Sequence, residues 1–178
     1  MATEQGKGMG SGRQIADVIG RTLWICDRHA LRLEWVMAEV KSLLPLSAKA
    51  FENLAPAEVA YMDQFATRFS KLQDAMGAKL FPQVLDLVGE QGALNTFIDK
   101  LNRLEKIGAI DNAAQWPLFR EMRNAFAHDY PEDSELNAET LNRALPLASE
   151  LLTVYRTIRD FALRYGAVLP GASSDGWQ

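Results

Sequence analysis

Apolar residues recur at intervals of three and four along nearly the whole chain, and no segment alternates in the two-residue rhythm of a half-buried strand. Ile15, Val18, Ile19, Leu23, Cys26, Ala30, Leu33, Met37, Val40 and Leu44 form the first stripe, which Pro45 closes. A second helix is predicted from Pro56, a favourable first-turn residue, through Val59, Met62, Phe65, Phe69, Leu72 and Met76, with Gly77 as its interruption. A third takes Ala78 to Val88, and a fourth runs through Phe97, Leu101, Leu104 and Ile107 to Gly108. Asp111 or Asn112 caps a fifth, carrying Trp116, Phe119, Met122 and Phe126. The sixth starts near Asn137 and extends past Ala162, with Pro146 kinking it or lying in its first turns.

Helices with one apolar stripe and short connections must bury those stripes against each other. The expected fold is therefore all-α, an antiparallel bundle of five to six helices over residues 13–166. The chain has 178 residues, enough for one compact domain. Met1–Gly12 holds four glycines and no apolar pattern, and reads as a flexible leader. Residues 167–178 read as a flexible tail. The aromatic residues, Trp24, Trp35 and Trp116 included, are expected in the core.

Several function classes drop out on residue types alone. With two histidines and one cysteine there is no His–x–x–His, Cys–x–x–Cys or Glu–x–x–His pattern, so no metal site is implied. "GKGMGSG" has the wrong order for a phosphate-binding loop and no strand before it, and no cofactor is implied. No Gly–x–Ser–x–Gly elbow occurs. His29, mid-helix, reads as an ordinary surface or satisfied histidine. No apolar run approaches the roughly 18 residues of a membrane span. The leader lacks the apolar run of a signal peptide, and a lone Cys26 makes no intrachain disulfide, so the cytoplasm is the default location. A net charge of −4 argues against a protein that coats nucleic acid, but not against an enzyme that touches a few phosphates.

The stretch "FREMRNAFAHDYPEDSE", residues 119–135, concentrates the remaining chemistry. At about 100° per residue Asn124 and His128 share a helix face, whereas Arg123 and His128 stand about 140° apart. Pro131 disfavours helix at Tyr130, which places His128 in a fraying last turn with Tyr130 able to swing back. Three polar side chains then surround one helix end, where the helix dipole favours a protonated histidine. Read without further context, the same residues also describe an ordinary helix end with a solvated arginine.

Arg123–Asn124–x3–His128–x–Tyr130, late in an all-α chain, resembles the motif of the HEPN superfamily, and specifically its HepT-type toxin branch. Residues 68–86 and 101–110 are similar to the helices that precede the motif there, and the resemblance covers about Gly12 to Tyr165. It implies metal-independent RNA cleavage by a homodimer whose two motifs face each other across a cleft. His128 would be the acid/base group for attack of a 2′-hydroxyl on its phosphate, with Arg123 holding that phosphate. Asn124 would orient one of them, and Tyr130 would border the RNA. The resemblance also implies a nucleotidyltransferase-fold antitoxin that adds AMP to Tyr130, placing charge and bulk beside Arg123 and His128.

An RNA cleft needs positive potential, for which Arg120, Arg103 and Arg123 are available with Lys100 and Lys106. Glu121, Asp129, Glu132, Asp133 and Glu135 crowd the same region. Two other readings compete with a ribonuclease toxin acting on RNA such as tRNA. One is a non-catalytic HEPN-like subunit that binds a nucleotide or docks a nucleotidyltransferase. The other is a helical scaffold carrying the motif by chance.

Overall fold

The computed structural model describes residues 6–90, 92, 94–128 and 133–171, with side chains from residue 12 onward. Every regular element among them is helical. They are α1 (Gly6–Lys41), α2 (Ala48–Glu52), α3 (Pro56–Ala75), α4 (Phe81–Leu87), α5 (Phe97–Lys106), α6 (Trp116–Phe126) and α7 (Ser134–Arg164).

The starts follow the capping chemistry of the sequence. Glu58 reaches back to the Ala55 N–H at 2.7 Å before Pro56 opens α3. Thr96 and Asp99 satisfy each other's backbone N–H groups at the start of α5. Hydrogen bonds from Thr96 hold the Asp99 carboxyl below its ordinary pKa. Asn112 caps a 3-10 turn at Ala113–Gln115 that leads into α6, and Asp133 caps α7 through the Leu136 N–H.

Cross-helix contacts fix the arrangement. Trp35 meets Tyr61 and His29 meets Arg68, so α1 and α3 run antiparallel. Trp116 lies beside Gly77 and Phe126 against Phe65 and Phe69, which makes α3 and α6 antiparallel. Gln115 reaches Glu150 while Arg143 reaches Glu121, which reverses α7 against α6. Asp27 with Arg159, and Ala16 with Val168, close the cycle from α7 back to α1. These four helices form an antiparallel bundle around Leu23, Leu33, Phe65, Phe69, Leu72, Phe119, Tyr155 and Ile158, all buried. Each buried large side chain contributes about 1.5–3 kcal/mol. The short helices α4 and α5 close one end through Phe81, Phe97 and Trp116.

Several local expectations are corrected. Gly77 does not interrupt the second helix. A π-helical stretch, Met76–Leu80, carries α3 directly into α4. A Cβ on Gly77 would lie 2.8 Å from Trp116 Cζ2, so glycine serves the packing of that indole rather than a helix stop. The backbone is helical from Gly6, within the stretch read as a leader. Elongation adds one hydrogen bond per residue once the packed part of α1 has formed, which overrides weak glycine propensity. Ala167–Leu169, read as tail, pack on α1: Ala167 is buried, Leu169 touches the core, and the Val168 N–H donates to the Ala16 carbonyl at 3.3 Å. Pro146 lies well inside α7 rather than in its first turns. Trp116 is buried as expected, but Trp24 and Trp35 are 48% and 54% exposed. They stand on the outer side of α1, away from the face that buries Ile19, Leu23, Cys26, Leu33, Val36 and Val40. Val59, placed on the second stripe, is also exposed. The short helix α2 is capped by Ser47 and carries no stripe long enough to read.

No helix among the described residues is long and apolar enough to cross a membrane.

Candidate functional site

The site grows from the side of α6 that faces α3. Trp116, Phe119 and Met122 are buried, which turns Arg120, Arg123 and Asn124 outward. Arg123 does not point freely into solvent. Its Nε and Nη2 donate to the two carboxylate oxygens of Asp74 on α3, at 3.0 and 3.2 Å. This bidentate geometry fixes the plane of the guanidinium.

Arg123 stands between two cavities. The larger, about 440 Å³, is lined by Gln73, Asp74, Gly77, Phe97, Trp116 and Arg120, with Ala78 and Arg123 itself. The smaller, about 270 Å³, lies toward the helix end and is lined by Thr67, Ser70, Lys71, Phe126 and Ala127 with Ala66 and Arg123. The larger combines two guanidinium groups with a carboxamide and aromatic walls. It suits a ligand with an anionic end and a flat, partly apolar body.

The helix stops sooner than the spacing suggests. α6 ends at Phe126, whose ring is held edge-on by Phe65 and Phe69. The final backbone bonds then tighten to three-residue spans, Ala127 N–H to Asn124 and His128 N–H to Ala125. His128 is therefore not in the last turn but just beyond it, exposed, and it lines neither cavity. Asn124 is exposed on α6. Tyr130 lies outside the described residues.

Of the expected site residues, Arg120 and Arg123 come together on one cavity. Arg103 does not join them, because its Nε donates to Glu90 at 2.7 Å. Two of the acidic residues expected to crowd the motif are engaged elsewhere: Glu121 pairs with Arg143, and Asp133 caps α7. Asp74 and Gln73 were missed by sequence reasoning. Neither belongs to a motif, and only the antiparallel packing of α3 on α6 brings them to Arg123.

Other reactive groups are accounted for structurally. Burial pushes the Cys26 thiol up to about 12, helped by Asp27, which leaves it a poor nucleophile. Burial first, and then the Asp27 contact, raises the Tyr155 hydroxyl, which lies 2.7 Å from Asp27 Oδ1. Arg159 holds the same carboxylate, and this hydrogen bond raises its pKa. No group of three metal-ligating side chains occurs among the described residues.

Comparison with family models, with curated proteins and with solved structures finds no match for this chain.

Proposed function

We propose that this chain is a metal-independent endoribonuclease toxin of a toxin–antitoxin pair, acting as a homodimer. The observation that carries the reading is the setting of Arg123. Its guanidinium is oriented by Asp74 between two cavities, beside Arg120, on a helix that ends just before an exposed His128. An arginine so oriented can offer paired donors to phosphate oxygens, while its neighbouring cavity takes a nucleoside.

In this mechanism the His128 imidazole accepts the proton of a 2′-hydroxyl as that oxygen attacks the adjacent phosphorus. The bond from phosphorus to the 5′-oxygen breaks, and that oxygen takes up the proton that His128 accepted, passed to it through water. Arg123 stabilises the charge that builds on the non-bridging oxygens. The products are a 2′,3′-cyclic phosphate and a 5′-hydroxyl. Arg123 and His128 of one chain need not meet if each site is completed across a dimer. Asn124 is the positioning residue. A nucleotidyltransferase-fold antitoxin that places AMP on Tyr130 would oppose RNA phosphate by charge and occupancy.

The test is cleavage of tRNA and a short synthetic RNA by the purified protein in a metal chelator, with product ends identified by mass. Wild type should yield cyclic-phosphate ends. Arg123→Lys, Arg123→Ala and His128→Ala should each lose activity, roughly 10²–10⁴-fold for the histidine. Equal cleavage by all four proteins, or none by unmodified wild type, overturns the reading.

A further inference from the structure

A second cationic surface lies on the other flank of α3, where it packs on α1. Arg28, His29 and Arg32 come from α1, and Arg68 and Lys71 from α3. Arg68 Nη1 rests 3.4 Å from His29 Nδ1, and its Nε is shut off from solvent without a hydrogen-bond partner. The charged groups that act on His29 are all cations: Arg68, Lys71, Arg32 and Arg28. Among the described residues no carboxylate pairs with Arg32, Arg68 or Lys71. In a chain of net charge −4, three neighbouring cations with no paired carboxylate among the described residues, Arg32, Arg68 and Lys71, are the feature an anionic ligand would complete.

Aromatic rings interleave with these cations. At 100° per residue Trp24, Arg28, Arg32 and Trp35 fall within about 80° of one another on the outer face of α1. The Arg28 guanidinium lies over the Trp24 ring, 4.6 Å from its centroid. Trp35 meets Tyr61 edge-on, and both tryptophans are about half exposed. From Trp24 to Trp35 the strip runs roughly 16 Å along the helix axis, long enough for several nucleotides. Cations that follow a backbone beside exposed ring faces are the combination that holds unpaired nucleic acid, because a paired base cannot reach a ring.

The surface continues to the candidate site. Lys71 acts on His29 on one side and lines the 270 Å³ cavity with Arg123 on the other.

We propose that the α1–α3 face formed by Arg28, Arg32, Arg68 and Lys71 binds the phosphate backbone of single-stranded RNA, with bases stacking on Trp35 and Trp24, and leads that strand to Arg123. The proposal rests on the ribonuclease reading for its ligand, and its test is separable from it. A fluorescein-labelled, 2′-O-methyl oligonucleotide of about 15 nucleotides, within the span of single-stranded sites, cannot be cleaved by 2′-hydroxyl attack. Its binding is measured by anisotropy over a series of salt concentrations.

The Arg32→Ala/Lys71→Ala double variant should bind about tenfold more weakly at low salt. The slope of log affinity against log salt should fall by about 1.4, or roughly 0.7 for each lost phosphate contact. Trp35→Leu should weaken binding about tenfold with the slope unchanged. Thermal melts show that each variant is folded. The inference is overturned if wild type does not bind the probe, or if the double variant binds as wild type does. It is also overturned if polyglutamate displaces the probe as effectively as unlabelled RNA, since an acidic protein segment would then be the fitting partner. Probe binding that depends on Arg32 and Lys71, in a protein that cleaves no RNA, would retain this surface and sink the ribonuclease reading alone.

Discussion

Replacing Gly20 by alanine sets two known effects against each other, and the structure decides which wins. Gly20 lies in the middle of α1, where alanine normally stabilises a helix by about 1 kcal/mol. Here a Cβ would sit 1.7 Å from the Val168 carbonyl oxygen and 2.7 Å from its carbon, both backbone atoms. Ordinary contact needs about 3.5 Å, so the Ala167–Leu169 segment must retreat by well over 1 Å. That retreat breaks the Val168 N–H bond to Ala16, worth about 1 kcal/mol, and uncovers Ala167 and part of Leu169, worth about 1–2 kcal/mol more. The net expectation for Gly20→Ala is a loss of about 1–2 kcal/mol in urea unfolding followed by circular dichroism. Over a chain of this length that is a drop of roughly 2–8 °C in Tm. The decisive comparison is a chain ending at Gly166. There the clash is gone and the helix preference remains, so the same substitution should stabilise by about 1 kcal/mol. If Gly20→Ala stabilises both chains equally, the C-terminal segment does not rest on this glycine and the reasoning fails.

Other perturbations follow from single contacts. Asn142 accepts from the Leu46 N–H at 2.7 Å and donates to the Leu46 carbonyl at 2.8 Å; Asn142→Ala should cost about 2–3 kcal/mol by urea melt, because both backbone groups lose their partner, and a loss under 0.5 would show that water replaces them. Asp74→Ala should change stability by less than about 1 kcal/mol, since both partners are partly exposed; a loss above 2 would mean the pair is more shielded than its surroundings suggest. His29 is held below its ordinary pKa by burial, then by Arg68, Lys71, Arg32 and Arg28. The unfolded chain therefore takes up the proton more readily, and stability present above about pH 6.5 is lost as pH falls through the depressed folded value. His29→Gln keeps an acceptor for Arg68 and cannot titrate, so its stability should fall less steeply below pH 6.5, by up to one proton in the linkage slope; parallel curves would remove His29 from the acid response.

The bundle was legible because its determinants are local. Period-3.6 stripes, Pro56 and Asn112 act within one turn of the helix they start. What the stripes do not carry is which glycine or aromatic serves a neighbour. Gly77 breaks helices by propensity, yet here it makes room for Trp116 inside a continuous rod. Trp24 and Trp35 carry the hydrophobicity of core residues, yet the inner face of α1 is already filled by smaller aliphatic side chains.

The same limit governs the site. Arg123 is conspicuous in sequence because Asn124 and His128 follow it, but its orientation comes from Asp74, 49 residues earlier. Asp74 lies three residues after Lys71 and six after Arg68, and on a helix these differences turn the carboxylate toward α6 and the guanidinium toward α1. One helix, α3, thus steadies the arginine of the motif on one flank, while on the other no carboxylate among the described residues pairs with its Arg68 or Lys71. The proposed RNA-binding surface gains from this separation. The carboxylate pairs with the arginine whose geometry the proposed cleavage needs and leaves Arg68 and Lys71 available for long-range attraction. The arrangement has a consequence for Asp74→Lys/Arg123→Asp. Reversing that pair restores the contact and the net charge, so probe binding at Arg32 and Lys71 should stay within about twofold of wild type, while cleavage is lost with the guanidinium. Loss of both together would show that the two flanks of α3 form one site rather than a track and a centre.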